Sequence, residues 1–227
     1  MGLPGIEPVE RANTLAEDLY QSLRKAIVTG SLKPGEKVAT RAVAESAGVS
    51  FTPAREAIAR LIADGALVQI SPKSVVVPHL RIEALDEITK LRLSLETMAA
   101  EAAAACITKD TLDRLKKVER AYEQLRTKEN FTKSLTLNEE FHFTIYRASG
   151  MPRLVGFIET LWVQVGPSFN LLLDEKRIPK RPLGFHDMAI EGLEGRDGEK
   201  VAVAIRNDLE FGYERLKNMV LQREEHA

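Results

Sequence analysis

Two groups of residues in this chain have types and spacings that could do chemistry. Asn138 and His142 stand four positions apart, which on a helix puts both side chains on one face, one turn from each other. His142 and His186 are two of four histidines in 227 residues, and both fall in the later part of the chain. Such residues can be ligands to a divalent cation. The same pattern suits core histidines satisfied by a neighbour, and the bare residues leave both readings open. The second group lies in Gly48-Val-Ser-Phe-Thr-Pro-Ala-Arg-Glu-Ala-Ile-Ala-Arg-Leu-Ile. Ser50, Thr52 and Arg55 form a short polar face at the start of a helix whose apolar stripe is Ala54, Ala57, Ile58, Leu61 and Ile62. A helix that reads a DNA groove needs this division. An Arg so placed can take guanine O6 and N7 together, or grip a phosphate. A surface helix carrying an Arg–Glu pair is the competing reading.

The elements that must position these residues are well punctuated. Thr14 and Glu17 have capping-box spacing, and Leu15, Leu19, Leu23, Ala26 and Ile27 follow at helical intervals. A short helix is predicted over Arg41–Ala47 with Thr40 as its cap, and Gly48 follows where a tight turn needs positive φ. The next helix is predicted to start with Thr52 as cap and Pro53 at the first helical position. Ala66–Ile70 and Ser74–Val77 are β-prone and joined by Ser71-Pro72-Lys73, which reads as a hairpin. Three short helices and a hairpin make the outline of a winged helix-turn-helix. From Arg81 onward the pattern is helical. Helices are predicted over Ile82–Cys106 (Leu85, Ile88, Leu91, Leu95, Met98 and Ala102 inward), Lys109–Lys128, Phe131–Ala148, Pro152–Val165, a short piece after Pro167, Phe185–Glu194, and a last helix from Gly198 to near Arg223. The expected fold is mainly α: an N-terminal winged helix-turn-helix followed by a C-terminal antiparallel helical bundle.

Composition narrows the function classes. No apolar run approaches the ~18 residues of a membrane span, the start lacks a signal-peptide pattern, and a cytoplasmic protein is expected. The single cysteine, Cys106, excludes an intrachain disulfide and any multi-Cys metal cluster. Formal net charge is −1, with residues 1–80 carrying 9 basic and 8 acidic side chains, so DNA binding would have to come from local placement.

The stretch Leu32-Lys-Pro-Gly-Glu-Lys-Val, with Arg41-Ala-Val-Ala-Glu, Gly48-Val-Ser-Phe-Thr-Pro-Ala-Arg-Glu-Ala and Asp64-Gly-Ala-Leu-Val, resembles the winged helix-turn-helix of GntR-family bacterial transcription regulators. The likeness covers residues 13–78, after a flexible arm over 1–12. It implies that Arg41, Ser50, Thr52, Arg55 and, at the wing tip, Lys73 face DNA. Phe51 occupies the place of an Arg that usually reads a base, and could meet a thymine methyl or simply pack. Ser74 replaces the usual wing glycine.

Residues 81–227 resemble the FCD effector domain, in particular its metal-binding members. The supporting residues are Leu91-Arg-Leu-Ser-Leu-Glu96, Asn138-Glu-Glu-Phe-His142 with Arg147-Ala-Ser-Gly150, and His186 followed by Gly195-Arg-Asp-Gly198. The register of that family implies a divalent metal held by Asn138, His142, His186 and Asp208. An aspartate at 208 departs from the usual third histidine. Two imidazoles with two oxygen donors can hold zinc, nickel, manganese or iron; zinc or nickel is expected first, although ligand type does not choose among them. Arg92, in an Arg-x-x-x-Glu pattern, could hold an effector carboxylate or pair with Glu96. Trp162 and Phe169 read as core, and the charged run 175–181 as a solvated loop.

These readings converge on a homodimeric regulator, not an enzyme. Its expected partners are double-stranded palindromic operator DNA and a small organic-acid effector, with repression relieved by ligand as the family's usual sense. The rival is a metal-dependent hydrolase built on His142, His186 and Asp208. It has no His-Glu-x-x-His motif to support it and no need of residues 13–78.

Overall fold

The computed structural model describes residues 14–125, 127–174 and 184–225. The expected arm, the 175–181 run and the Thr14 cap lie outside the described residues and side chains. The first unit holds α1 (Thr14–Val28), α2 (Thr40–Ala47), α3 (Phe51–Ala63), β1 (Val68–Ser71) and β2 (Ser74–Val76). The two strands pair antiparallel, Val68 opposite Val76 and Gln69 opposite Val75, with an irregularity between Gln69 and Ser71. Lys37 bridges to Val76, and Val38 N–H donates to the Val75 carbonyl at 2.9 Å. This ties the approach to α2 onto the hairpin and makes the wing.

Helix starts differ from expectation. Thr40 is the first residue of α2, behind an extended Ala39. α3 opens at Phe51 behind an extended Ser50, so Thr52 and Pro53 lie inside its first turn, where proline's missing N–H is still harmless. Ala66 and Leu67 belong to the exit from α3: both N–H groups donate to the Leu61 carbonyl and both side chains are buried. Gly48 adopts φ +65° at the end of α2, as the turn requires.

The second unit comprises α4 (Ile82–Cys106), α5 (Lys109–Leu125), α6 (Phe131–Ala148), α7 (Pro152–Val165), α8 (Phe185–Glu194) and α9 (Gly198–Glu224). Two 3₁₀ segments, Lys128–Asn130 and Gly166–Asp174, complete it. α4 lies along α9, α8 packs on α9, and α5 packs on α6. The Gly195–Gly198 turn is fixed by Arg196, which donates to the Ala105 carbonyl at 2.6 Å at the end of α4. Asp197 caps α9 by accepting from Lys200 N–H. That sets the register of α9, which carries Asp208.

The inward face of α4 corrects the expected one. Leu91 and Met98 are 45% and 50% exposed, while Arg92, Glu96, Ala99, Ala100 and Ala103 are buried. Leu85 and Ile88 are buried as expected, so the departure begins at Leu91, beyond which the core side is a small-residue stripe with an ion pair at its start. One hydrophobic cluster runs from Ile27 and Leu61 of the first unit through Phe143 and Ile158 to Ile205 of the second. At that junction Gly166 lies so close to α1 that an added Cβ would fall 2.7 Å from Val28 Cα.

Candidate functional site

α6, α8 and α9 bring His142, His186 and Asp208 together. One ligand atom of each lies within 4.8 Å of the others, and all three residues are buried. His142 Nε2 and Asp208 Oδ2 are 3.1 Å apart. The imidazoles meet edge to face with centroids 5.2 Å apart, and His186 stacks on Phe141 at 3.7 Å. Asn138, one turn before His142, lines a cavity of about 110 Å³ together with Arg92, His142, Trp162, Phe169 and Asp208. Three of the four residues implied by family register thus form the cluster, and Asn138 lines the cavity with His142 and Asp208, which His186 does not line.

Both histidines are oriented through Nδ1. Tyr146 Oη donates to Glu96 Oε2 at 2.5 Å, so at its 3.0 Å contact with His142 Nδ1 the tyrosine oxygen is the acceptor and Nδ1 carries the proton. His186 Nδ1 donates to Glu119. In the neutral form each ring then has Nε2 as its lone-pair nitrogen, the tautomer that metal-ligating histidines take when an outer group holds the other nitrogen. The consequence at His142 is specific. Its Nε2 lies 3.1 Å from a carboxylate oxygen, a contact that needs a positive centre between the two atoms, either a proton on Nε2 or a bound cation. A divalent cation satisfies that requirement, and two imidazoles with one carboxylate are a fitting donor set for one. Asn138 could add an amide oxygen as fourth donor.

Glu96 anchors the arrangement. Fully buried, it accepts from Arg92 Nε at 2.6 Å, Trp162 Nε1 at 3.0 Å and Tyr146 Oη. Burial, and after it the Glu96 charge, pushes the Tyr146 hydroxyl well above the usual tyrosine range. Arg92 forms the expected Glu96 pair and also lines the cavity, its guanidinium 4.7 Å from the Trp162 ring centroid. Trp162 and Phe169 are cavity walls as well as packing residues. Tyr146 and Glu119 join the site without a signal of their own in the sequence analysis, and Glu96 enters there only as a partner for Arg92. Tyr146 was within reach, since it follows His142 by the same four positions that join Asn138 to it.

At the other end of the molecule Arg41, Ser50, Phe51, Thr52, Arg55 and Lys73 are all exposed. Arg41 pairs with Glu45 at 2.9 Å on the surface of α2. Phe51 is 56% exposed, so packing does not account for it. Behind them Ala54, Ala57, Ile58 and Leu61 bury the back of α3.

Residues 15–77 match the model for bacterial regulatory proteins of the gntR family, and residues 87–211 match the FCD domain. The chain is 33% identical over 172 residues to the HTH-type transcriptional regulator McbR of Escherichia coli K12, spanning 76% of this chain and 77% of that protein. It is 23% identical over 225 residues to the gluconate operon transcriptional repressor of Bacillus subtilis 168, spanning 95% of this chain and 90% of the repressor. The solved structure of E. coli McbR/YncC superposes with a TM-score of 0.83 at 28% identity, covering 90% of this chain and 98% of that one. A winged helix joined to a helical bundle is the build of a transcription regulator. The chain belongs to the GntR family of bacterial transcription regulators and carries an FCD domain. Its relatives are regulators, not enzymes, and the hydrolase reading is set aside. No helix among the described residues is long and apolar enough to cross a membrane.

Proposed function

We propose that this regulator works as a homodimer in which residues 13–78 bind palindromic operator DNA and residues 81–227 dimerise and sense a small carboxylate through a divalent metal. The observation that carries the reading is the convergence of His142, His186 and Asp208 beside a cavity that Arg92 also lines. Asn138, His142, His186 and Asp208 would hold the metal, zinc or nickel before manganese or iron. Bound there, the ion would supply an electrophilic centre for a ligand oxygen. Arg92 spends Nε on Glu96, and its two terminal nitrogens remain the fork for a carboxylate. Effector and operator affinities are then linked reciprocally, with ligand relieving repression. A thermal-shift screen of small organic acids, with and without chelator, tests this. At least one acid should raise Tm only when metal is present, and a flat screen in both arms would refute the sensing role.

DNA recognition falls to the exposed face of α2, α3 and the wing. Arg41, Ser50, Phe51, Thr52, Arg55 and Lys73 would meet the duplex, with Phe51 against a thymine methyl. Arg41→Ala and Arg55→Ala are each expected to weaken specific binding by about 1–3 kcal/mol without unfolding the chain. Titrations at matched salt check this, and wild-type affinity in either variant would move the recognition surface elsewhere.

Two half-sites one helical turn apart require two recognition helices. The exposed Leu91 and Met98 on α4 support a second copy as the cover for that face. Sedimentation at micromolar concentration should give twice the chain mass, and monomer alone, with and without operator, would contradict the dimer.

A further inference from the structure

We propose that the buried Arg24–Glu139 ion pair is the element through which the His142 site acts on the DNA-binding unit. This rests on the sensing role given above and adds how the signal leaves the site. Arg24 projects from α1 and Glu139 from α6. Nη1 and Oε1 are 3.1 Å apart, with side chains 8% and 14% exposed. The Arg24 guanidinium also lies 5.5 Å from the Phe143 ring centroid.

The placement on α6 is what matters. Glu139 directly follows Asn138, and Phe143 directly follows His142. Each step along a helix turns ~100°, so Asn138 and His142 line the cavity while their neighbours grip α1. Any shift of α6 that seats Asn138 and His142 against a ligand must carry Glu139 and Phe143 with it. On the receiving side, α1 packs against α3, and Tyr20 of α1 donates to Asp64 at the end of α3. A displacement at Arg24 therefore moves the recognition helix.

Two further features make the pair a sensitive joint. Arg24 Nε and Nη2 are buried and meet no acceptor among the described residues, which satisfy the guanidinium at one of its three nitrogens. A buried Arg in that condition gains from a changed approach of its carboxylate, and a side-on fork would replace the single contact. Water screens this pair little, so its strength follows its geometry, unlike the surface pair Arg41–Glu45. Another polar link across the junction, Gln164 Nε2 to the Asp64 carbonyl at 2.8 Å, is neutral and lies on α7. The Gly166–Val28 backbone approach leaves a fixed contact about which α1 can turn.

The test uses the full chain, zinc ion as probe, and a duplex that the wild type selects from a random-sequence pool. Calorimetry gives zinc affinity, and titration gives duplex affinity with and without zinc. In the wild type zinc should change duplex affinity by about tenfold, within the usual range for coupled sites. The double variant Arg24→Met/Glu139→Leu removes both charges and leaves neither one buried alone. It should bind zinc within about threefold of wild type while its zinc-dependent change in duplex affinity falls below about threefold. Glu139→Gln, close in shape to the native side chain, should show the same split and serves if the double variant folds poorly. A variant that binds zinc and keeps the full response overturns the proposal, as does loss of zinc binding in both variants, which would put Glu139 in the metal set. A wild type that takes up no zinc refutes the metal-sensing role and this inference with it. A wild type that binds zinc with unchanged duplex affinity refutes this inference alone.

Discussion

Glu96→Gln is expected to destabilise the protein by about 3–5 kcal/mol, the usual cost of removing one partner from a buried pair. The carboxylate is fully buried and takes hydrogen bonds from Arg92, Trp162 and Tyr146. An amide keeps the shape but leaves the buried Arg92 guanidinium without its counter-charge. At this chain length the loss corresponds to a fall in Tm of roughly 6–20 °C. Glu45→Gln is the matched control. Arg41–Glu45 has the same i,i+4 spacing, yet its side chains are 87% and 67% exposed. Its loss should cost about 0.3–0.5 kcal/mol. Equal effects from the two substitutions, in denaturant or thermal melts, would mean that burial does not set the strength of the Glu96 network.

His142→Ala should remove the metal altogether. Loss of an outer partner of a metal ligand lowers affinity by about 10–100-fold, and loss of the ligand itself should exceed that. With metal at ~100 times its dissociation constant the wild type gains about 2.7 kcal/mol of stability, and the variant should gain none. Effector response should weaken, while ligand-free DNA binding persists, because His142 lies in α6 and the recognition surface in α2, α3 and the wing. Melts with and without added metal, beside operator titrations, check both parts. A variant that still gains stability from metal would remove His142 from the donor set.

Much of this architecture was legible in the sequence, because local signals and tertiary demands agree there. The bounds of α6, α7 and α8 follow from apolar stripes, with Gly150 just past the end of α6, Pro152 opening α7 and Gly195 just past the end of α8. In α4 the inward reading holds at Leu85 and Ile88 and fails at Leu91 and Met98. Leu91 and Met98 fit a 3.6-residue period as well as the true core positions do, and periodicity gives no sign that a charged pair, Arg92–Glu96, takes the interior. Glu119 shows the same limit. It lies among Leu115, Val118 and Tyr122 on the buried side of α5, but an acidic side chain on an amphipathic helix reads as solvated until α8 delivers His186 to it. The convergence of His142, His186 and Asp208 came from family register, since spacings of 44 and 22 residues carry no geometry of their own. The Arg24–Glu139 contact spans 115 residues and could be found only in the fold.

The sensing role stands most directly on the metal. Elemental analysis of protein purified without a His-tag or chelator should find one divalent ion per chain, or full uptake of one on titration. The donors are those that converge beside the cavity, where His142 Nε2 and Asp208 Oδ2 lie 3.1 Å apart. Absence of stoichiometric metal at purification, with none bound on titration, would contradict the metal-sensing role and leave the cavity to a ligand that needs no ion.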